Sequence, residues 1–542
     1  MNQSRCNAPS EQAGTLAFLQ GELARRDPGM AMQVIETHIS VILLSATRAW
    51  KLKKAVTLPY LDFASAQTRL ALCQRELELN RRTAPAIYRA VHRVIRRAGG
   101  DMSLAVVPCA QTAADDGAGK GGIGADDGTT LVDAVLEMER FEQDQLFDRL
   151  AVDGALSPQL ITRLAQAIAA FHERAQPLAQ GERSGSQRIG DILEINERGL
   201  ARAGGLLDAA TVRRVTQALR LRWRQHHGLL DQRQHAGHVR RCHGDLHLRN
   251  IVVIDGAPTL FDCLEFDEDM ATTDILYDLA FVLMDLWHRE LPSLANLLFN
   301  RYLDEVDEST GLPLLGLFMA MRATVRAHVT ATRAQEMPTR QAAETGAREA
   351  VIAEAGAYLA LAERLLAPHP VRLIAIGGLS GSGKSTAAAA IADQVGPAPG
   401  ARVLSSDRLR KQLLGVPPLT RLSSEAYGPD VSARVYARLR ERAATVIALG
   451  HGAVVDAVFD RLQDRDAVHA VAAAAGAAFQ GIWLQAPTAV LLDRVEQRRD
   501  DPSDAGAEVI RRQLQRDPGR MDWRRIDAGS DQAPALLRKS LD

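Results

Sequence analysis

The sequence predicts an α+β N-terminal domain followed by an α/β C-terminal domain with a parallel sheet. Three observations predict it. The chain has 542 residues, more than one hydrophobic core holds. A long helical pattern over residues 273–366 is broken by Ala367-Pro368-His369-Pro370. Beyond that break short apolar runs alternate with helical stretches, the order of a parallel sheet, whereas before it a strand-rich start gives way to helices. Domains are expected at residues 1–366 and 367–542.

Composition narrows the class. Hydrophobic residues make up 46% and charged residues 24%, as in ordinary globular proteins. The formal net charge of −1 gives no general attraction to nucleic acid or anionic membranes. Five scattered cysteines without a CxxC pair argue against a disulfide framework or a zinc site. The polar start, residues 1–14, lacks the layout of a signal peptide, and no apolar run reaches the roughly 20 residues of a membrane span. A cytoplasmic protein is expected. Only seven lysines occur, three of them crowded into Lys51–Lys54. A compact ammonium does a different job from the guanidinium that fills most other basic positions.

Residues 1–33 read as helical or loosely ordered. Val34–Ser45 and Ala49–Val56 read as a hairpin, with a turn at Ala46-Thr47-Arg48. Ser65–Thr83 has helical spacing, with Leu70, Cys73, Leu77 and Leu79 as apolar positions. Residues 110–128, rich in Gly and Asp, read as a flexible loop between two strands. Residues 144–234 are mostly helical in pattern, and 243–267 is strand and loop. In the C-terminal part Val371–Ile376, Arg402–Leu404, Ala453–Val455 and Gly481–Leu484 are the strand candidates.

The loop His243-Gly244-Asp245-Leu246-His247-Leu248-Arg249-Asn250 carries the first chemistry. Asp245 can handle a hydroxyl proton, and Asn250, five residues on, can hold Mg²⁺. After the apolar Ile251–Ile254 and a turn at Asp255-Gly256, the chain returns with Asp262, a second carboxylate for a metal clamp. This constellation resembles the catalytic loop of the aminoglycoside phosphotransferase and choline kinase group, a branch of the protein-kinase-like fold. The resemblance implies that Asp245 is the catalytic base, Asn250 a metal ligand and Asp262 the main one, with Asp278 supporting the loop. It also implies a strand lysine on the ATP phosphates, Lys51 or Lys53, with Ala49-Trp50-Lys51 favouring Lys51. Glu76 is then its partner, with Glu78 second, and Asp133–Phe141 resembles the hinge that meets adenine. The chain departs from the family in lacking a GxGxxG before Lys51, and in reading HLRN where many relatives have HPGN.

The second chemistry is Gly378-Leu379-Ser380-Gly381-Ser382-Gly383-Lys384-Ser385, a Walker A sequence. The strand before it and the helix expected over Thr386–Val395 supply its context. Gly378, Ser380, Gly381, Ser382 and Gly383 would wrap phosphate in backbone N–H groups, with Thr386 at the helix start. Lys384 would reach the β/γ phosphates and the Ser385 hydroxyl would sit on Mg²⁺. Asp456, ending a later strand, is a candidate for the Mg²⁺ shell. Ser405–Arg410 follows the second strand and resembles the place where nucleoside-monophosphate-kinase-like enzymes meet their acceptor, which implies Asp407 as a candidate base and Arg410 as a candidate substrate clamp; the alternative for Asp407 is the cap of a helix over Arg408–Leu414. Arg494, Arg498 and Arg499 resemble the arginine-bearing lid of gluconate kinase and its relatives, where arginines stabilise transferring phosphoryl charge.

The chain thus resembles a bacterial fusion of an aminoglycoside phosphotransferase-like domain with a P-loop kinase domain. The expected function is an ATP- and Mg²⁺-dependent phosphotransferase of small hydroxylated molecules with two ATP sites. Two alternatives stand beside it: a nucleotide-sensing regulatory ATPase with one silent domain, and a polynucleotide-kinase-like C-terminal domain.

Overall fold

A computed structural model of the chain describes residues 12–28, 32–37, 39–58, 61–108, 129–178, 183–337, 342–498, 502–530 and 533–541. The loop expected at 110–128 and Arg499 lie outside the described residues. Residues 1–156, 170–178 and 240–273 form one compact unit; residues 157–169, 179–239 and 274–542 form a second. The boundary expected near residue 367 falls inside the second unit, in the connection between the helix Ala342–Leu366 and the strand Arg372–Gly378.

The first unit is built on a six-stranded antiparallel sheet. In spatial order its strands are Gln33–Glu36, Ser40–Leu44, Arg48–Lys53, Thr130–Glu139, Tyr88–Arg96 and Met102–Val106. The single strand expected over Val34–Ser45 is two strands. A turn intervenes in which Thr37 N–H donates to the Ser40 carbonyl at 2.8 Å and Ser40 N–H donates to Thr37 Oγ1 at 2.9 Å. The hairpin to Arg48–Lys53 forms as expected, with Leu44 opposite Ala49.

Strand alternation decides which side chains meet the site. On one face Ala49 joins Leu44, Leu136 and Cys73 under the helix Ala66–Asn80, and Lys51 and Lys53 share its parity. On the other face Trp50 and Leu52 pack with Leu16, Leu19 and Leu23 of the helix Ala13–Arg26. Ser65 caps the helix Ala66–Asn80 by accepting from Thr68 N–H. Its expected apolar positions Cys73 and Leu79 are buried. So are Arg69, Glu76 and Asn80, a polar row at helical spacing that an apolar count does not detect.

The second unit contains the helices Gly185–Arg202, Ala209–Gln225, Ile275–His288, Pro292–Glu305, Leu315–Glu336 and Ala342–Leu366. It also contains a five-stranded parallel sheet in the order Arg402–Ser405, Ala453–Asp456, Arg372–Gly378, Ala478–Gln485, Arg524–Asp527. Four of these strands were expected. The edge strand Arg524–Asp527 was not, because only Ile526 of its four residues is buried. Ile374, Ile376, Ala388, Ile391 and Val454 form the core between the sheet and the helix Lys384–Ala392.

The helix Pro292–Glu305 lies against the strand Arg402–Ser405 through a polar row at i, i+4 and i+8. Asn296 Nδ2 donates to the carbonyls of Pro399 and Ala401, both at 3.0 Å. Arg402 donates to Asn300 Oδ1 at 3.0 Å and to Asp304 Oδ1 at 2.7 Å. The row satisfies buried backbone carbonyls that would otherwise lose water without replacement.

Candidate functional site

In the first unit, the strand Arg48–Lys53 and the helix Ala66–Asn80 bring two lysines onto one carboxylate. Lys51 Nζ lies 2.7 Å from Glu76 Oε1 and 2.7 Å from Asp262 Oδ1. Lys53 Nζ lies 2.6 Å from Glu76 Oε2 and also donates to Glu265. Lys53 and Glu76 are fully buried, whereas the Asp262 side chain is 39% exposed, so Lys51 sits between the sealed part and the open part. Burial alone would raise the Glu76 carboxyl, but the two ammonium groups overcome it and hold it at about 2. Burial alone would lower Lys51, and Asp262 and Glu76 reverse this and raise it well above its ordinary value. Glu78, the second candidate partner, is exposed and paired with Arg75.

The loop that bears Asp245 is tied to the segment that bears Asp262. Asn250 Nδ2 donates to Asp245 Oδ2 and to the Asp245 carbonyl, both at 2.9 Å. His247 Nε2 is 3.3 Å from Asp245 Oδ2. The strands Ile251–Ile254 and Ala257–Leu260 pair as a hairpin whose turn residues Asp255 and Gly256 both have positive φ, the geometry of a tight two-residue turn. The returning chain is held closely. Phe261 N–H donates to the Asn250 carbonyl at 3.0 Å, and His243 Nε2 donates to the Phe261 carbonyl at 2.9 Å. Asp262 N–H donates to the Tyr88 hydroxyl at 3.1 Å, and Cys263 N–H to Asn80 Oδ1 at 2.9 Å. Asp262 itself has φ +62°, strained for a residue with a Cβ. Arg249 is 3.6 Å from Asp148 and half exposed. Asp133 is buried on Arg69 and Gln12, each at 2.7 Å, so the start of the stretch expected to meet adenine is committed to internal pairing.

Sequence reasoning missed Glu265, Tyr88 and Asn80. Glu265 had a signal, an acid three residues beyond Asp262. Tyr88 and Asn80 had none, since each acts on a backbone N–H distant in sequence.

In the second unit the strand Arg372–Gly378 turns into the helix Lys384–Ala392 through Leu379–Gly383. Gly378, Gly381 and Gly383 have φ +145°, +83° and +84°, conformations open to glycine. At Gly381 a Cβ would meet the Leu491 carbonyl oxygen at 2.5 Å. Ser380 N–H donates to Gln513 Oε1 at 2.9 Å, a contact not foreseen. Lys384 Nζ donates to the Leu379 carbonyl at 3.1 Å, folded back over the loop. Ser385 Oγ donates to Asp456 Oδ2 at 2.6 Å, which joins the two expected Mg²⁺ residues. Ser382 is buried, whereas Ser385 and Thr386 are exposed at the helix start.

The remaining candidates are placed unevenly. Asp407 is the second residue of the helix Ser406–Leu413, in its acidic first turn; the cap position belongs to Ser405, which corrects the capping alternative. Arg410 is buried, donates to the Ala426 carbonyl at 2.8 Å and lies 4.6 Å from the Tyr427 ring. Arg494 donates to the Ala528 carbonyl at 2.9 Å, and Arg498 is half-buried. Asp504, in the segment after the arginines, accepts from Lys411 at 2.6 Å and from the Tyr427 hydroxyl at 2.7 Å.

Comparison with known proteins agrees with this division of chemistry. A family model described as "Phosphotransferase enzyme family" matches residues 63–313, and one described as "AAA domain" matches residues 373–517. An uncharacterized protein of Mycobacterium tuberculosis (strain ATCC 25618 / H37Rv) is 28% identical over 486 residues, covering 88% of this chain and 88% of that protein. Among solved structures, choline kinase from Cryptosporidium parvum Iowa II is 10% identical, covers 65% of this chain and 96% of its own, and has a TM-score of 0.36. A gluconokinase from Sinorhizobium meliloti 1021 is 23% identical, covers 32% and 90%, and has a TM-score of 0.22. By the family matches and the two sheets, the chain joins an α+β phosphotransferase-type domain to an α/β P-loop NTPase domain with a parallel sheet, and its enzymatic class is phosphotransferase.

Proposed function

We propose that the protein is a Mg·ATP-dependent phosphotransferase with two nucleotide sites, acting on small hydroxylated molecules. The observation that carries this is the pairing of Lys51 with both Glu76 and Asp262 at 2.7 Å, beside a loop in which Asn250 fixes Asp245. A lysine held between a helix glutamate and a metal-type aspartate is the arrangement that phosphoryl transfer of the protein-kinase kind uses. Domains at 1–366 and 367–542 go with this reading.

The donor sets fit Mg²⁺, which prefers a few hard oxygens. Asp262 and the Asn250 amide oxygen would hold it in the first site; Ser385 and Asp456 would hold it in the second. When bound it supplies charge neutralisation between the phosphates. Lys51, rather than the sealed Lys53, contacts the α/β phosphates, and Glu76 keeps its ammonium in place. Asp245 orients the acceptor hydroxyl and accepts its proton on the carboxylate, whose Oδ2 is fixed by Asn250 and His247. In the P-loop domain the backbone N–H groups of Gly378–Lys384, with Ser385 and Thr386, bind the phosphates. Lys384 leaves the Leu379 carbonyl for the β/γ phosphates. Asp407 acts on the acceptor, and Arg494 and Arg498 stabilise charge on the transferring group.

The test is ADP release at saturating Mg·ATP against aminoglycosides, sugars, sugar acids, nucleosides and oligonucleotides. Wild type is run beside Asp245→Ala and Lys384→Ala. Acceptor stimulation lost only in Asp245→Ala assigns that acceptor to the first site, and loss only in Lys384→Ala assigns it to the second. Tight ATP binding with no stimulation by any acceptor would replace this reading with the regulatory one.

A further inference from the structure

The proposed chemistry employs Lys51, Glu76 and Asp262 and leaves two charged neighbours without a task. Lys53 is fully buried and Glu265 nearly so, at 7% exposure, and each is paired with the other. Sealed charges of this kind are costly, and replacing such a pair by apolar groups is often neutral for stability. Their placement gives them a function.

Glu76 is the shared centre: Oε1 faces Lys51 and Oε2 faces Lys53. Each lysine has one further carboxylate, Asp262 for Lys51 and Glu265 for Lys53. Once Asp262 turns to a metal, Lys51 keeps Glu76 as its only carboxylate of the three. At that point Lys53, away from water, would compete for both Glu76 oxygens unless another anion held it. Glu265 is that anion. It lies three residues from Asp262, in a segment whose backbone is fixed by Asn80 and His243.

We propose that Glu265 is a positioning residue: by holding Lys53 it reserves Glu76 for Lys51, so that the nucleotide-contacting lysine stays aligned when Asp262 engages the metal. This rests on the nucleotide site proposed above for the first unit. Glu265 does not touch the nucleotide; its effect passes through Lys53 and Glu76.

The test is a double-mutant cycle read by calorimetric binding of Mg·ADP to the full chain carrying Lys384→Ala, which leaves the first site to be measured. Glu265→Gln frees Lys53 to draw Glu76 away and is expected to weaken binding by about tenfold. Adding Lys53→Met removes the competitor, and the double variant is expected to return to within about threefold of the parent. A purely structural pair predicts the opposite order, a double variant at least as weak as the single, and that result overturns the proposal. If Glu265→Gln does not fold, a folded double variant with near-parental affinity upholds the proposal, and a weak or unfolded one overturns it. Asp262→Asn separates the two claims. Parental binding that Asp262→Asn abolishes sustains the nucleotide site and lets the cycle decide on Glu265; a parent that binds no Mg·ADP removes both.

Discussion

His451 is fully buried in the second unit, where its Nε2–H donates to the Gly400 carbonyl at 2.9 Å and its ring lies 5.6 Å from that of Phe299. Burial lowers its pKa from an ordinary 6.5 to about 4, against the opposing hydrogen bond to Gly400. The folded state therefore holds the imidazole neutral where the unfolded chain protonates it. Between about pH 6.5 and 4 the unfolded state binds more protons, so stability rises with pH across that window. The contribution is fully present above 6.5 and is lost as pH falls toward 4. Lowering the imidazole from 6.5 to about 4 amounts to about 3 kcal/mol, at 1.36 kcal/mol per pH unit. Urea unfolding followed by tryptophan fluorescence, at half-unit steps from pH 7 to 4, measures it when wild type is compared with His451→Gln. The wild-type minus variant difference should shrink by about 3 kcal/mol over the window; His328, also lowered to about 4, cancels in that difference. Parallel profiles for the two proteins would refute the claim that His451 is kept neutral by its packing.

Two further outcomes follow from the geometry. Gly381→Ala forces a Cβ against the Leu491 carbonyl at φ +83°, whereas at Gly383 the nearest atom is Arg494 Nη1 at 4.0 Å. Nucleotide affinity of the P-loop site should fall at least about tenfold in the first and less in the second, since only the first adds a backbone clash to about 1–3 kcal/mol of strain; equal losses by calorimetry would sink the steric argument. Asp304→Ala removes the carboxylate that pairs with Arg402 at 2.7 Å and Arg408 at 3.2 Å. Leaving the buried Arg402 without a carboxylate counter-charge should cost about 3–5 kcal/mol in chemical unfolding, and a change below about 1 kcal/mol would mean that its hydrogen bonds to Asn300, with water, replace the lost partner.

Local signals made the two motif-bearing loops legible. The Walker A run is contiguous, and a strand before it and a helix after it leave little freedom for its backbone. The same holds for His243–Asn250 and its hairpin, where Asp255-Gly256 specifies the turn and the distance in sequence to Asp262 is short. The strand Arg48–Lys53 was readable as the second arm of a hairpin, and Glu76 from the family resemblance, which called for a helix glutamate beside the strand lysine. Where local signals were weak the boundaries moved: Thr37 and Ser40 close a turn inside an apolar run, and Arg524–Asp527 is a strand because a partner strand supplies its hydrogen bonds, not because its side chains are apolar.

The sequence by itself determined the two loops that carry the motifs, the parallel sheet of the C-terminal part and the helix break near residue 367, because each is written in periodicity or in consecutive residues. Tertiary structure alone decided which lysine is sealed and which lies beside the exposed Asp262. Lys51 and Lys53 have the same parity on one strand, and only the carboxylates arriving from Glu76, Asp262 and Glu265 make them different. It also decided that Arg410, read as a clamp, is held by Ala426 and Tyr427, and that Asn296, Asn300 and Asp304 fasten a helix to the strand leading to Asp407. A charged side chain's role depends on which opposite charges and how much water surround it, and those neighbours come from parts of the chain that no local pattern connects.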